Sequence, residues 1–204
     1  MRKKLILTGL ALVLAALLGC TGLLIQQRAL ADKLIRFHVV ADSDAEADQS
    51  NKLAVRDALL DTLAPMAKRT QTRAEMLHVL RDSLPQLKAQ AEQTLRRLGC
   101  ADAVEVSLGR EIYPTRVYET FSLPAGPYTS LQVRIGSARG HNWWCVCFPT
   151  LCQSACAEDL EAVAAGAGFT NKEIRLITEA DHYEIRFKVL EWLESLRRRA
   201  AGEA

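Results

Sequence analysis

Four of the chain's six cysteines and two adjacent tryptophans lie in one short segment, "GHNWWCVCFPTLCQSAC", residues 140–156. Cysteines can bind zinc, act as nucleophiles or form disulfides. The spacing of Cys145, Cys147, Cys152 and Cys156 fits poorly the paired knuckles of structural zinc sites. A nucleophilic cysteine needs a histidine base and a group that orients the histidine, and no pattern brings these together. We expect no catalytic residues and no cofactor; a disulfide is favoured, with free buried thiols or a metal site as alternatives.

The N-terminal segment decides the compartment, and with it the state of the thiols. Residues 2–4 are basic and residues 5–25 carry no charge, a layout typical of a signal peptide. Ala29-Leu30-Ala31 is a small-x-small site, so we expect cleavage of residues 1–31 before Asp32. Retention of the uncharged run as a membrane anchor and lipidation at Cys20 are the alternatives. All three place residues 32–204 outside the cytoplasm, where a disulfide is the default.

Residues 32–204 have the size of a single domain with a hydrophobic core. Residues 1–31 hold four Lys/Arg and no Asp/Glu, which leaves 22 basic against 24 acidic groups and a net charge of −2. Binding to nucleic acid requires clustered positive charge. We therefore expect no nucleic-acid partner, and we assign the basic run at residues 197–199 to the end of the last helix, where it complements the helix dipole.

Hydrophobic periodicity predicts an α+β domain, with a mainly antiparallel sheet, helices packed on one face and the order β-α-α-β-β-β-β-α. Residues 33–41 alternate apolar and polar side chains, which predicts a half-buried strand. Ser43 and Glu46 predict a capping box. The helix that they introduce is expected over residues 45–63 and should end before Pro65, because proline lacks the backbone N–H of a helix interior.

Leucines at steps of three and four predict a second helix over residues 72–98, and Gly99 is expected to end it. The period then changes to two, and four strands follow, the second of them over residues 115–123. The segment Leu123–Pro127 is expected to form a turn between antiparallel strands. An amphipathic helix over residues 182–199 closes the chain.

Trp143 and Trp144 are adjacent on the predicted strand "NWWCVCF", so their side chains point to opposite faces of the sheet. One belongs to the core, and we expect the other at or near solvent, as an aromatic anchor for a protein interface. Burial of both under flanking loops is the alternative. The same period places Cys145 and Cys147 on one face, and a bend at the following proline lets either of them meet Cys152.

Three segments carry a resemblance to a known family: "LIRFHVVADSDAEADQSNKLAVRDALL", "YPTRVYETFSLPAGPYTSLQVRIGSARGHNWWCVCFPTLC" and "RFKVLEWLE". Over nearly all of residues 34–193 the chain resembles the stage II sporulation protein R family of endospore-forming bacteria. "GxNWWCVxFPxLC" is an unusual string, so the match is specific. The matching residues are Arg36, Phe37, His38, Ser43, Asp44, Tyr113–Arg116, Leu123–Gly126, Gly140, Asn142–Cys145, Phe148, Pro149 and Cys152.

The resemblance implies a developmental signal rather than an enzyme. Members of this family are made in the forespore and exported into the space between the forespore and mother-cell membranes. There they are needed to activate a membrane-bound aspartic protease, stage II sporulation protein GA, which cleaves the precursor of sigma factor E. We therefore expect a secreted signalling protein whose partner is this sporulation protease, with membrane contact possible through residues 1–31.

The resemblance also implies which residues matter. Cys145 and Cys152 fall on the family pattern and are the preferred disulfide pair, whereas Cys100, Cys147 and Cys156 are additional cysteines of this chain. The hypothetical partner-binding residues are Tyr113, Arg116, Asn142, Trp143 and Trp144. The alternative function is an exported cysteine- or zinc-dependent hydrolase that acts on cell wall or peptide.

Overall fold

A computed structural model describes residues 2–151 and 157–201 of the chain. The elements in these residues are α1 (Arg2–Ala31), β1 (Ile35–Val40), α2 (Glu46–Arg69), α3 (Arg73–Arg97), β2 (Val104–Tyr113), β3 (Arg116–Val117), β4 (Ser122–Leu123), β5 (Gly126–Ile135), β6 (Asn142–Phe148), α4 (Ala157–Gly166), α5 (Asn171–Thr178) and α6 (Ala180–Ala201). The predicted α+β class is confirmed. After α1 the elements follow the predicted order, with one additional short strand and two additional short helices.

A four-stranded sheet in the order β2-β5-β1-β6 lies at the centre of the fold. Strand β1 pairs in parallel with β5 and antiparallel with β6, and β2 pairs antiparallel with β5. The sheet is therefore mostly antiparallel, as predicted. A parallel pair requires a long crossover connection, and here α2, α3 and β2 lie between β1 and β5 in the chain. Because β1 pairs with β5 on one side and with β6 on the other, it is a central strand of the sheet.

Helices cover both faces of the sheet, so the prediction of helices on one face was wrong on this point. On the first face, α2 and α3 pack against β1 in a core cluster that includes Phe37, Leu59 and Leu80. On the second face, the end of α1 and helices α4, α5 and α6 form another cluster with Tyr113 and Tyr128. The prediction failed because polar residues of the sheet suggested a solvent-facing side, and several of them are buried.

Strand β1 shows this most clearly, because all six of its residues are buried. Ile35, Phe37 and Val39 belong to the first core cluster. Arg36 and His38 point to the second face, where they are only 0% and 5% exposed. The prediction of a half-buried strand was therefore wrong, because the two-residue period separates two different buried environments instead of a core side and a water side.

Helix α2 differs from its prediction at both ends. Ala45 is its N-cap and makes no side-chain cap hydrogen bond. The Ser43 hydroxyl accepts a hydrogen bond from the Ala45 N–H at 3.1 Å and donates one to Asp48, so it forms no capping box with Glu46. The helix also continues past Pro65. Buried residues on both sides of the proline pack into the first core cluster, which offsets the loss of one helical hydrogen bond.

The predicted extent of α3, residues 72–98, is confirmed to within one residue at each end. Thr72 and Glu75 form a capping box at its start, and Gly99 follows its end with φ +75°, a conformation that glycine adopts without strain. The segment predicted as one strand over residues 115–123 is different, because β3 and β4 pair with each other as a separate two-stranded sheet. We call this pair of strands the β3–β4 ribbon.

The last turn of α1 belongs to the folded domain. Gln27, Leu30 and Ala31 are 2%, 0% and 5% exposed, and α1 contacts β5 and α6. Within the part of the chain that the structure describes, no helix combines the length and the apolar character needed to cross a membrane. The boundary before Asp32 stays a prediction, and cleavage there would remove these three buried residues from the domain.

Candidate functional site

Polar and aromatic side chains from all four strands meet on the second face of the sheet. We call this set the polar–aromatic face. It comprises Arg36 and His38 of β1, Glu111 and Tyr113 of β2, Arg116 of β3 with the adjoining Tyr118, Tyr128 and Ser130 of β5, and Trp144 of β6. The strand register brings them together, because alternate residues of neighbouring strands point to the same side. For example, Arg36 lies opposite Ser130, and His38 lies opposite Trp144.

Arg36 occupies the centre of this face. Its guanidinium carbon lies 4.0 Å from the ring centroid of Tyr113 and 5.0 Å from that of Tyr128, within the range of cation–π interactions. Its Nη2 donates a hydrogen bond to the Tyr118 hydroxyl at 2.5 Å, whereas Nε and Nη1 have no hydrogen-bond partner. An arginine in such surroundings is costly, because a buried charge normally requires an ion pair or several hydrogen bonds.

His38 and Trp144 connect this centre to the rim of the face. Their rings stack with centroids 3.8 Å apart and planes inclined by 13°. Nδ1 of His38 lies 2.9 and 3.1 Å from the two carboxylate oxygens of Glu111. Tyr113 contacts Trp144 edge-on at 4.6 Å, and the guanidinium of Arg116 lies over the Trp144 ring at 5.0 Å. Trp144 is therefore contacted by the rings of His38 and Tyr113 and by the guanidinium of Arg116.

Burial keeps the tyrosine hydroxyls of this face protonated. It raises the pKa of Tyr128 to about 12. It also raises the pKa of Tyr113 well above its ordinary value, although the Ser130 hydroxyl, 2.6 Å away, and the Arg36 charge act in the opposite direction. The pKa of Tyr118 is likewise raised by burial, and the Arg36 charge opposes the shift. At neutral pH all three side chains are uncharged phenols, so none of them neutralises Arg36.

Three of the five hypothetical partner-binding residues belong to the polar–aromatic face. Arg116 and Trp144 are half-buried at its rim, where they present part of their surface to solvent. Tyr113 is 0% exposed and presents none. Any effect of Tyr113 on a partner would therefore act through the position of its neighbours, Trp144 and Arg36.

The other two, Asn142 and Trp143, lie elsewhere on β6. Trp143 points to the first face, where its ring meets Phe37 edge-on at 5.7 Å and lies under the guanidinium of Arg56 at 5.1 Å. Asn142 is exposed at the start of the strand. The predicted alternation of Trp143 and Trp144 is confirmed, and each tryptophan is half-buried and covered by an arginine.

The cysteines of β6 point to the first face and are buried, so the prediction that Cys145 and Cys147 share a face is confirmed. Cys147 is a free thiol, and burial raises its pKa to about 12. It therefore lacks the thiolate that reactive cysteines require. Cys152 and Cys156 lie outside the described residues, so the Cys145–Cys152 disulfide stays a prediction.

Acidic residues after β1 bind backbone N–H groups of the loop before β6. Asp42 accepts a hydrogen bond from the Ser137 N–H at 2.5 Å, and Asp44 accepts one from the His141 N–H at 2.6 Å. These hydrogen bonds lower the pKa of both carboxyl groups. Within residues 2–151 and 157–201, no three His, Cys, Asp or Glu side chains are placed to hold a metal ion.

Sequence reasoning missed most of the central residues of this face as a site. They are Arg36, His38, Glu111, Tyr118, Tyr128 and Ser130. Arg36 and His38 stood in the family pattern, and their alternation with large apolar residues was visible. The missing information was the strand register, which brings Glu111 and Tyr128 from distant parts of the chain against β1.

Comparison with known proteins identifies the family. The pattern of stage II sporulation protein R matches residues 31–158, which is more than half of the chain. The chain belongs to this family. It is similar to stage II sporulation protein R of Bacillus subtilis (strain 168), with 29% identity over 189 residues that cover 84% of each chain. No solved structure matches the chain.

The family match extends over the whole candidate site. Residues 31–158 include strands β1 to β6, and every member of the polar–aromatic face lies on these strands or on the loops between them. The predicted family is thus confirmed, and the chain is a sporulation protein of stage II.

Proposed function

We propose that this chain is an exported signal that activates a membrane-bound aspartic protease, stage II sporulation protein GA, so that the precursor of sigma factor E is processed. Family membership is the observation that carries this proposal. The proposal includes export of the protein, directed by residues 1–31, into the space between the forespore and mother-cell membranes. It also includes a disulfide between Cys145 and Cys152 that staples the end of β6.

The rim of the polar–aromatic face is the surface best suited to contact the protease. Arg116 and Trp144 are of the types that dominate protein interfaces, and Val117 beside them is 78% exposed. Asn142 is exposed at the start of the same strand, whereas Trp143 points to the first face and would reach the protease only across the edge of the sheet that β6 forms. A ligand activates its target only to the extent that it binds the active state more tightly than the inactive state. A surface whose side chains are held in one geometry can fit one state of the protease better than the other. Trp144 is held in this way by the stacked ring of His38.

No observation favours the alternative of a cysteine-dependent hydrolase. The free thiol on β6, that of Cys147, is buried, and its pKa of about 12 disfavours the thiolate needed for nucleophilic attack. Its sulfur contacts the backbone carbonyl oxygen of Ile35 at 3.4 Å instead of a histidine. The position of Cys147 is therefore that of a core residue.

The proposal can be tested by reconstitution in a host that does not sporulate. The chain, directed for export, is expressed with the membrane-bound protease and the sigma precursor of the same organism, and processing is followed by immunoblot. We expect processing to depend on the chain. Arg116→Ala and Trp144→Ala should each reduce it at least about fivefold, which corresponds to a loss of about 1 kcal/mol in affinity, because arginine and tryptophan are the residue types that contribute most at interfaces.

Arg134→Ala is a matched control, because Arg134 is an exposed arginine near the end of β5 that is not one of the residues of the polar–aromatic face. It should leave processing unchanged, and circular dichroism should show that all three variants fold. If the wild-type chain causes no processing, the proposed function is wrong. If both Arg116→Ala and Trp144→Ala support full processing, the rim is not the contact surface.

A further inference from the structure

The polar–aromatic face has a surplus of hydrogen-bond donors. Nε and Nη1 of Arg36 and Nε of Arg116 are buried and have no hydrogen-bond partner. The side-chain amide nitrogen of Gln27, at the end of α1, is also buried without one. Most buried donors in folded proteins are satisfied. A group of unsatisfied guanidinium nitrogens on one face therefore indicates a position for an acceptor that binds there.

The described residues of the face supply no anion to either arginine. Glu111 is occupied by Nδ1 of His38, 2.9 Å from one of its oxygens. The hydrogen-bond partner of Arg36 is the neutral hydroxyl of Tyr118. Because arginine keeps its charge at any pH at which the protein is folded, two positive charges share this face without a carboxylate of their own.

We propose that the polar–aromatic face binds the carboxylate of an acidic side chain of the partner protein, between Arg36 and Arg116. The planar fork of a guanidinium group matches the two oxygens of a carboxylate. A chain of ring contacts connects the two arginines: the Arg36 guanidinium lies 4.0 Å from the Tyr113 ring, Tyr113 contacts Trp144 edge-on at 4.6 Å, and the Arg116 guanidinium lies 5.0 Å from the Trp144 ring. The inference rests on the proposed function only for the identity of the partner, the membrane-bound protease.

The β3–β4 ribbon controls access to this position. It carries Arg116 on β3 and Tyr118 directly after β3, in the turn between its strands, and forms a two-stranded sheet of its own, apart from the central sheet. Arg116 is half-buried at the rim, whereas Arg36 is fully enclosed behind Tyr118. A carboxylate that enters beside Arg116 takes the place of the Tyr118 hydroxyl on Nη2 of Arg36 with one oxygen and accepts a hydrogen bond from the unpaired Nη1 with the other. The exchange replaces a neutral acceptor with a charged one, and hydrogen bonds to a charged acceptor are about twice as strong as those between neutral groups.

This geometry predicts effects of opposite sign for two neighbouring residues. Arg116→Gln removes a charge that receives the ligand, so it weakens binding. Tyr118→Phe removes the hydroxyl that competes for Arg36, so it strengthens binding. A residue with a merely structural role would not show the second effect, because loss of its hydrogen bond would loosen the face and weaken binding instead.

The experiment uses the full chain in detergent micelles and isothermal titration calorimetry at constant pH and ionic strength. The probe is an acetylated and amidated peptide of four glutamates, and the same peptide with glutamines is the reference. We expect the glutamate peptide to bind at least about 10-fold more tightly than the glutamine peptide, a difference in the range of one charged hydrogen-bonded pair. Arg36→Gln and Arg116→Gln should each weaken binding by about 10-fold, and Tyr118→Phe should tighten it by about threefold.

Arg56→Gln is the matched control, because Arg56 also lies over a tryptophan, at 5.1 Å from the Trp143 ring, but on the first face of the sheet. It should leave binding unchanged. The inference is overturned if the two peptides bind equally, if Arg56→Gln weakens binding as much as Arg116→Gln, or if Tyr118→Phe fails to tighten it. Equal competition by sodium acetate at the same carboxylate concentration would assign the site to a free anion and would overturn the partner assignment.

Three further outcomes can be interpreted, and the last two of them keep the inference separate from the proposed function. If Arg36→Gln does not fold, Arg116→Gln and Tyr118→Phe still decide the question, because Arg116 lies on the ribbon and Tyr118 in its turn, both outside the central sheet. If the peptide does not bind while the wild-type chain still drives processing, the inference is wrong and the proposed function stands. If the peptide binds with the expected pattern and no processing occurs, the carboxylate site stands and the protease is not its partner.

Discussion

Leu30 tests whether the last turn of α1 is part of the folded core. Its side chain is 0% exposed and packs in the second core cluster with Tyr113, Phe121 and Ile177. Leu30→Ala removes buried apolar surface and leaves a cavity, and substitutions of this kind lower the free energy of unfolding by about 2–5 kcal/mol. We expect about 3 kcal/mol, because a helix end can move to fill part of the cavity.

Thermal unfolding of the full chain, followed by circular dichroism in one detergent buffer, measures the effect. A loss of 1 kcal/mol lowers Tm by about 2–4 °C in a domain of this size, so Leu30→Ala should lower Tm by about 6–12 °C. Leu18→Ala is the matched control, because Leu18 lies on the same helix and is 65% exposed. It should change Tm by less than about 2 °C, since surface substitutions usually have small effects.

Equal melting temperatures for the two variants would refute the packing of this turn. The result also bears on processing of the leader, since cleavage before Asp32 would remove Leu30 together with Gln27 and Ala31. The intact mass of the exported protein decides between the boundary predicted before Asp32 and one upstream of Gln27, and the burial of these three side chains favours the second. Recovery of a product that begins at Asp32 and melts with the full-length chain would contradict this reasoning.

Two further predictions concern buried titratable side chains. Cys147, with a pKa of about 12, should react with iodoacetamide at pH 8 only after unfolding, because in the folded chain about one Cys147 thiol in 10,000 is ionised at that pH. Peptide mass spectrometry measures the labelling, and rapid labelling of the native chain would contradict the burial of this thiol. Burial raises the pKa of Tyr128 to about 12, above the value of about 10 in the unfolded chain, so its stabilising contribution is complete below about pH 10 and is lost as the pH rises toward about 12. Denaturant unfolding at a series of pH values should show this loss, and Tyr128→Phe should reduce its slope; an unchanged slope would mean that other groups cause it.

Local signals predicted elements correctly where no distant contact competed with them. The leucine period gave the extent of α3 to within one residue at each end, and Gly99 ends it as predicted. Ser43 looked equally convincing but does not cap α2. Its neighbours Asp42 and Asp44 bind the loop before β6, and that tertiary contact sets the path of the chain into the helix.

The candidate site was only partly predictable for a related reason. Arg116 and Trp144 could be singled out because arginine and tryptophan are common at interfaces. Arg36 and His38 alternate with apolar residues, and such a pattern is typical of a strand with one face in water. Only the pairing of β1 with both β5 and β6, together with the helices of the second face, shows that these polar side chains are buried.

The two faces of the sheet differ in how well their groups are satisfied, and this difference supports the proposed roles. The first face is packed with apolar side chains such as Phe37 and Leu80, which stabilise the fold. The second face holds a fully buried arginine with two unpaired nitrogens, an arrangement that lowers stability unless something compensates for it. Violations of local rules are expected at functional sites. A partner carboxylate would supply the missing acceptors. The unpaired nitrogens lower the stability of the unbound protein, and the hydrogen bonds that they form with the carboxylate would contribute to the free energy of binding.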